Sequence, residues 1–209
     1  RFERPFIAVN CATIAADRNG VELFGQEDPL KGASEGIPGM IERADGGSLF
    51  FDEIGALPLN IQGLLLRFLE DGCYQRVGGT AQLFSKVRVV VASQENLAAK
   101  MRSGLFREDL YFRINMMPIE LPPLRKRLED IPHLVNELIS RLENKYQTSV
   151  RFNSQAMRSL QAHQWPGNIR ELANLVERLS IIAPHAVIGV QDLPLDYQYP
   201  SPGSDTLPN

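Results

Sequence analysis

The sequence predicts an α/β protein in which a layered domain with a mostly parallel sheet is followed by a small all-helical subdomain. Three observations carry this. In the first half, the strand-like runs Phe6-Ile7-Ala8-Val9, Ser48-Leu49-Phe50-Phe51 and Val87-Arg88-Val89-Val90-Val91 are separated by helix-period segments, the pattern of a parallel sheet covered by helices. Strand-like runs then stop at Leu121-Pro122-Pro123, a break signal. Beyond it, apolar residues recur at helical spacing.

Each element has a local reason. Phe6 to Val9 is a short apolar strand. Gly46-Gly47 release the chain from a turn, and Ser48 to Phe51 then run straight into Asp52-Glu53. An apolar run bounded by turn signals reads as a buried strand of a parallel sheet. Pro58 opens a helix whose Ile61, Leu64, Leu65, Phe68 and Leu69 share a face, and Gly72 ends it. Val87 to Val91 is a β-branched strand ending at Ala92-Ser93-Gln94. After the break, Asp130 to about Lys145 is a helix with Ile131, Leu134, Val135, Leu138 and Leu142 inward. Asn153-Ser154 offers an N-cap for a second helix through His163. Gly167-Asn168 precedes a third, with Ile169, Leu172, Leu175, Val176 and Leu179 inward. These readings place the layered domain over 1–121, the helical subdomain over 122–193, and a Pro/Ser/Gly-rich linker over 194–209.

Composition bounds the function. A chain of 209 residues that is 44% hydrophobic buries one good core, or one core plus a small second domain. Net charge of −3 and a pI near 5.7 give no global pull toward nucleic acid or an anionic membrane, so any DNA contact is local or lies elsewhere. The two cysteines, Cys11 and Cys73, make neither a metal spacing nor a disulfide framework, which points to a reducing cytoplasm. No apolar run approaches the ~18 residues of a membrane span, and no signal peptide is visible. The chain starts at Arg1-Phe2-Glu3-Arg4 without an initiator Met and is expected to be a piece of a longer protein.

Ligands of open parallel sheets bind beyond the carboxyl ends of the strands. Adjacent acids at such an end suit Mg²⁺ and a water. Asp52 would hold the hydrated ion, and Glu53 would take the proton of the attacking water. A second segment, Gly104 to Asn115, places Arg107 and Arg113 around an acidic-aromatic helical turn. A guanidinium forks onto phosphate oxygens; the competing reading is surface pairing with Glu108 and Asp109. In Trp165-Pro166-Gly167-Asn168-Ile169-Arg170-Glu171-Leu172, Pro-Gly makes a tight turn and Asn168 can cap. Arg170 falls in the first helical turn, where a cation opposes the helix dipole and calls for a partner anion. The competing reading is a solvated arginine paired with Glu171. Glu137 and Arg141 stand four apart on the first helix after the break, the spacing of an ordinary helix ion pair.

Gly46 to Gly55, Phe106 to Asn115, Leu121-Pro122-Pro123-Leu124-Arg125 with Glu129-Asp130-Ile131-Pro132, and Trp165 to Leu172 together resemble the AAA+ domain of sigma-54-dependent transcription activators, the bacterial enhancer-binding proteins. Order and spacing fit from about Pro5 to Pro194. Phe152-Asn153-Ser154 and Pro166 to Leu179 with Val187-Ile188-Gly189-Val190 are similar to flagellar master regulators of the FleQ/FlrA type, some of which bind cyclic di-GMP. The resemblance implies a P-loop NTPase-type core with a helical lid, and ATP/ADP with Mg²⁺ as ligands. It implies Asp52 and Glu53 as the Walker B pair and Ser93 and Gln94 at an altered sensor I position. Arg107 and Arg113 would be offered to the nucleotide of a neighbouring subunit in a homo-oligomeric ring, a hexamer when active. Arg170 would be the sensor II arginine of the lid. Glu137 and Arg141 match a Glu-x-x-x-Arg motif of cyclic di-GMP binders, where arginine stacks on guanine or grips phosphate and glutamate accepts guanine N–H bonds. The implied partners are an RNA polymerase sigma factor, and DNA through a separate C-terminal helix-turn-helix domain, with no membrane.

Three departures from the family stand out. The Walker A loop, G-x-x-x-x-G-K-[ST], whose backbone N–H groups and lysine cradle phosphates, is absent; with the first core strand, its place would precede Pro5. After Leu23-Phe24-Gly25 the family's GAFTGA loop, which touches sigma-54, is replaced by Gln26 to Gly39, where only Gly32-Ala33 remains. The helix before it is eroded at Asp17-Arg18-Asn19-Gly20. The sensor I pair is altered, although Ser93 can still orient a water. The expectation is a nucleotide-binding, flagellar/biofilm-type regulator whose output is driven by ligand binding rather than by remodelling sigma-54 polymerase. The alternatives are an ATP-hydrolysing sigma-54 activator and a catalytically silent, ligand-binding oligomerisation scaffold.

Overall fold

The computed structural model describes residues 4–28 and 32–198. The chain forms two compact units that divide between Pro118 and Ile119, just before Leu121-Pro122-Pro123. In the first, the strands are β1 (Phe6–Asn10), β2 (Gln26–Asp28), β3 (Gly32–Ile37), β4 (Ser48–Asp52), β5 (Cys73–Tyr74), β6 (Leu83–Phe84) and β7 (Arg88–Val91). The helices are α1 (Val21–Phe24), α2 (Met40–Arg43), α3 (Leu59–Asp71), α4 (Leu97–Arg102) and α5 (Glu108–Ile114).

The predicted parallel sheet is present, in the order β1-β4-β7. Its register pairs Phe6 with Ser48 and Asn10 with Asp52 on one side of β4, and Ser48 with Arg88 and Phe51 with Val91 on the other. Alternation decides the two faces. Val9, Leu49 and Phe51 are buried with Ile61, Leu65 and Phe68 of α3, Phe106, and Leu110 of α5. The opposite face carries Phe6, 66% exposed, Val90, 40% exposed, and Phe50, on which Phe6 stacks at 6.4 Å between ring centroids. Parallel sheets are ordinarily covered on both faces, so an apolar face left partly exposed among the described residues is an informative departure.

Helix α3 follows Pro58 and ends at Gly72, whose φ of 71° gives the left-handed turn that closes the helix. Leu64 does not join the predicted buried face: it is 44% exposed, while Ile61, Leu65 and Phe68 are buried. At about 100° per residue, Leu64 lies roughly a quarter turn from the centre of that stripe. The buried face instead includes Gln62. The next two strands form an antiparallel pair, β2 with β3, Gln26 facing Ile37 and Asp28 facing Gly32. Its base is tight: a Cβ on Gly39 would lie 2.3 Å from the Leu23 carbonyl oxygen and from the Gly25 nitrogen.

The second unit contains α6 (Ile131–Tyr146), β8 (Arg151–Phe152), α7 (Ser154–Ala162), α8 (Asn168–Ile182), β9 (Val187–Ile188) and α9 (Leu195–Gln198). The helices pack around Ile131, Val135, Leu160, Trp165, Leu172 and Val176, and a short parallel β8–β9 ladder ties two loops together. Asn153 caps α7 as predicted, its side chain accepting the Ala156 N–H at 2.8 Å. Asn168 does not cap its own helix. Gly167 holds the cap position, and the Asn168 side chain accepts the Leu124 N–H at 2.8 Å, pinning the chain just after the Pro122-Pro123 break. The expected linker also starts later than predicted. Leu195–Gln198 is helical, the Ser159 hydroxyl donates to the carbonyls of Tyr197 and Gln198, and Tyr197 stacks near His163 and Trp165 at 4.7 and 5.5 Å. The rest of that segment, 199–209, lies outside the described residues.

Trp165 is the largest fully buried side chain of the second unit, and its indole N–H donates to the Leu160 carbonyl at 2.8 Å. Trp165→Ala is expected to cost this unit about 3–5 kcal/mol, read as an earlier denaturant midpoint.

Candidate functional site

The sheet register builds the site. Because Asn10 is level with Asp52, and the Ala92 N–H reaches the Phe51 carbonyl at 2.8 Å, all three strands end at one height. Asn10, Asp52-Glu53 and Ser93-Gln94 follow from one another along that edge. Glu53 adopts φ 54° and ψ 50°, left-handed for a residue with a side chain, a conformation costing about 1–3 kcal/mol of the kind that collects at functional sites. The turn leaves Asp52 exposed and Glu53 half-buried. It also brings the Glu53 carboxylate to the Gln94 N–H, 3.4 Å away.

The acids set the local electrostatics. Cys11, next along from Asn10, is fully buried. Burial first, and the charges of Asp52 and Glu53 after it, push its thiol up to about 12. The folded protein therefore keeps Cys11 protonated at neutral pH, and its raised pKa contributes stability below about pH 9 that is lost as pH climbs toward 12. Cys11 is expected to resist alkylation at pH 8 in the native protein and to label on unfolding; rapid native labelling, read by mass spectrometry, would contradict this placement.

Ser93 is where the sequence puts it, but its hydroxyl is engaged locally, donating to the Glu95 carbonyl at 3.1 Å and accepting the Glu95 N–H at 3.2 Å. Two neighbours escaped sequence reasoning. The Lys100 ammonium donates to the Gly55 carbonyl at 2.8 Å and pairs with Glu95 at 2.5 Å, fastening the turn after Glu53 to α4. A Cβ on Gly55 would meet that Glu95 carboxylate at 2.7 Å, so the glycine gives the ion pair its room. Asn10 was the other omission; only strand pairing reveals that it is level with Asp52.

Arg107 stands at the N-cap of α5 and Arg113 in its last turn. The Arg107 guanidinium forks onto Asp109 at 3.0 and 2.7 Å, which holds the Asp109 carboxyl below its ordinary value. Arg113 donates to the Leu69 carbonyl at 2.7 Å. Both partners belong to the arginines' own unit, so the local pairing anticipated from sequence is present for Arg107, through Asp109 rather than Glu108.

Arg170, in the second unit, is exposed in the first turn of α8 and forms no ion pair among the described residues. Its expected competitor is occupied: Glu171 accepts the Gly167 N–H at 2.8 Å and the Tyr197 hydroxyl at 3.0 Å. Arg170 borders a hollow of about 360 Å³ that also includes Asn174, Arg178 and Tyr197. Glu137 and Arg141 are both exposed and bond to each other at 3.0 Å, the helix ion pair their spacing allows.

Known proteins share the fold. Residues 1–120 match the family model described as the Sigma-54 interaction domain, and residues 125–208 match the AAA+ ATPase lid domain. The DNA-binding transcriptional regulator NtrC of Rhizobium meliloti (strain 1021) is 46% identical over 185 residues, covering 88% of this chain and 38% of that protein. The phenol regulator MopR of Acinetobacter guillouiae is 42% identical over 202 residues, covering 96% and 35%. The crystal structure of NtrX from Brucella abortus in complex with ATP matches with a TM-score of 0.83 at 37% identity, covering 100% of this chain and 45% of that one. The chain spans well under half the length of the curated relatives it matches. On its layered core, its helical lid and these matches together, the chain belongs to the sigma-54 interaction family of AAA+ domains.

Proposed function

We propose that this chain is the nucleotide-responsive AAA+ region of a bacterial transcription regulator, that it binds ATP or ADP with Mg²⁺, and that it hydrolyses ATP within a homo-oligomeric ring. The observation that carries this reading is the Asp52-Glu53 pair at the end of the central parallel strand, with Glu53 in a left-handed turn. The solved NtrX relatives, one with ADP and one with ATP, support it.

Among the described residues no group of three or more His, Cys, Asp or Glu forms a metal cage. That suits an ion held by one carboxylate, waters and substrate phosphates. Asp52 is the residue that would hold Mg²⁺ through its water, and the bound ion would neutralise charge on the phosphates. Glu53 orients the attacking water and accepts its proton, its carboxylate steadied by the Gln94 N–H. Arg107 and Arg113 serve the neighbouring subunit's nucleotide. For Arg107 this means exchanging the Asp109 carboxylate for a phosphoryl group, one anion for another. Arg170 supplies a lid cation whose place at a helix N-terminus is unfavourable until an anion arrives. The phosphate cradle is the part these residues lack. The bare face of Phe6, Phe50 and Val90 is the seat expected for the helix that a strand–loop–helix cradle brings.

The output differs from that of a sigma-54 remodeller. Read as the counterpart of the family's contact loop, Gln26 to Gly39 carries neither its Phe nor its Thr, which supports nucleotide-set assembly with DNA binding by another domain. The flagellar FleQ/FlrA assignment and a cyclic di-GMP site at Glu137 and Arg141 have less support. The relatives carry NtrC, MopR and Nif-specific names, and the two side chains satisfy each other.

In the full-length gene product, Glu53→Gln is expected to lower phosphate release by about 100-fold or more while nucleotide affinity, read by fluorescence titration, stays nearly unchanged. Release at background in both wild type and variant would make the protein a silent scaffold. Arg107→Ala is expected to lower kcat by about 1,000-fold, with affinity again little changed. Open-complex formation on a sigma-54 promoter is expected to show no ATP-dependent activation; activation would restore the working-activator alternative.

A further inference from the structure

Gln62 is fully buried in the middle of α3, an uncommon place for a side-chain amide. Every polar atom of that amide is used. Its Nε2 donates to the Leu57 carbonyl at 2.7 Å and to the Leu105 carbonyl at 3.2 Å. Its Oε1 accepts the Arg107 N–H at 2.8 Å. Leu57 closes the short helical turn Ile54–Ala56 that begins directly after Glu53. Leu105 and Arg107 bracket Phe106, itself buried. One side chain thus joins the turn that follows the acid pair to the residue that carries the first arginine.

Gly63, next to Gln62, lies beside the Arg107 guanidinium; a Cβ there would be 3.7 Å from it, an ordinary contact distance. The N-cap side chain makes no capping bond of its own, so the backbone at this point is set by Gln62. Two of these three hydrogen bonds, to Leu105 and Arg107, tie the start of α5 to α3 and so bear on where the guanidinium is displayed.

We infer that Gln62 is a positioning residue that holds Arg107 in register with the Asp52-Glu53 turn of the same subunit, so that the state of one subunit's site is carried to the arginine it presents to the next. The inference rests on the reading of Arg107 as an arginine acting on the neighbouring subunit's nucleotide. It has a consequence that a purely structural amide lacks: a Gln62 variant keeps a competent acid pair and fails as a donor of arginine.

Complementation between full-length subunits tests this. Gln62→Leu alone is expected to lower kcat for ATP hydrolysis by about 10- to 100-fold with KM for ATP little changed. Glu53→Gln alone is inactive but retains Gln62 and Arg107. Mixed assemblies then contain interfaces with a working acid pair on one side and a well-placed arginine on the other. Hydrolysis by the mixture is expected to rise clearly above the sum of the two variants assayed separately. A mixture no more active than that sum overturns the inference. Gln62→Met, closer in volume, replaces the leucine variant if the latter does not fold; failure of both to fold assigns the amide to stability alone and also overturns it. Wild type without hydrolysis removes the reading of Arg107 and this inference together, whereas an active wild type with an uncomplemented mixture removes only the role of Gln62.

Discussion

Strand β4 is paired in parallel on both sides, and that pairing is the constraint from which the rest follows. Its backbone groups are engaged through Phe51, so the chain is free to turn only at Asp52 and Glu53. Parallel pairing with level ends makes that point a shared rim: Asn10 arrives on one side and Ala92 on the other. A one-residue slip of β4 would send Leu49 and Phe51 out of the core, so the hydrophobic core itself fixes the height at which the acids emerge. The geometry of the acid pair and the packing of the core are the same constraint seen from two ends.

The turn after the acids is held from two directions. Lys100 grips the Gly55 carbonyl from α4, and Gln62 grips Leu57 from α3. The second grip extends to Arg107. Meanwhile the guanidinium forks onto Asp109 with both side chains about half exposed. Exposed pairs of this kind contribute little, so in the proposed reading releasing Asp109 for a phosphate is a small cost. In the second unit Glu171 is consumed by Gly167 and Tyr197, which leaves Arg170 with an unfavourable helix-end position and an open face.

Much of this was legible in the sequence, for identifiable reasons. Short apolar runs marked the three strands, period-3.6 stripes marked α3, α6 and α8, and an Asn-Ser N-cap marked α7, because these signals are local. Leu64 was misplaced because a helical face of that width has an uncertain edge: the buried stripe runs instead toward Gln62, on the side away from Leu64. The capping role of Asn168 failed because a tertiary partner, the Leu124 N–H, competed for the same side chain. Asn10, Lys100 and Gln62 could not be singled out. Each acts through residues roughly 40 or more positions away, and nothing in local pattern encodes such pairings. The helical turn at Leu195–Gln198 was hidden in a segment whose composition reads as linker, and its order comes from Ser159 and the rings of His163 and Trp165.

The central claim is that the acid pair of one subunit and an arginine of the next converge on a transferring phosphoryl group. Its most direct test is the structure of the full-length assembly with ADP, Mg²⁺ and aluminium fluoride, which imitates that group in flight. The account predicts Asp52 on the ion's water, Glu53 on the attacking water, and the neighbouring subunit's Arg107 turned from its own Asp109 onto the fluoride. Arg107 still forked onto Asp109 in every subunit, with the acids far from the bound nucleotide, would contradict it.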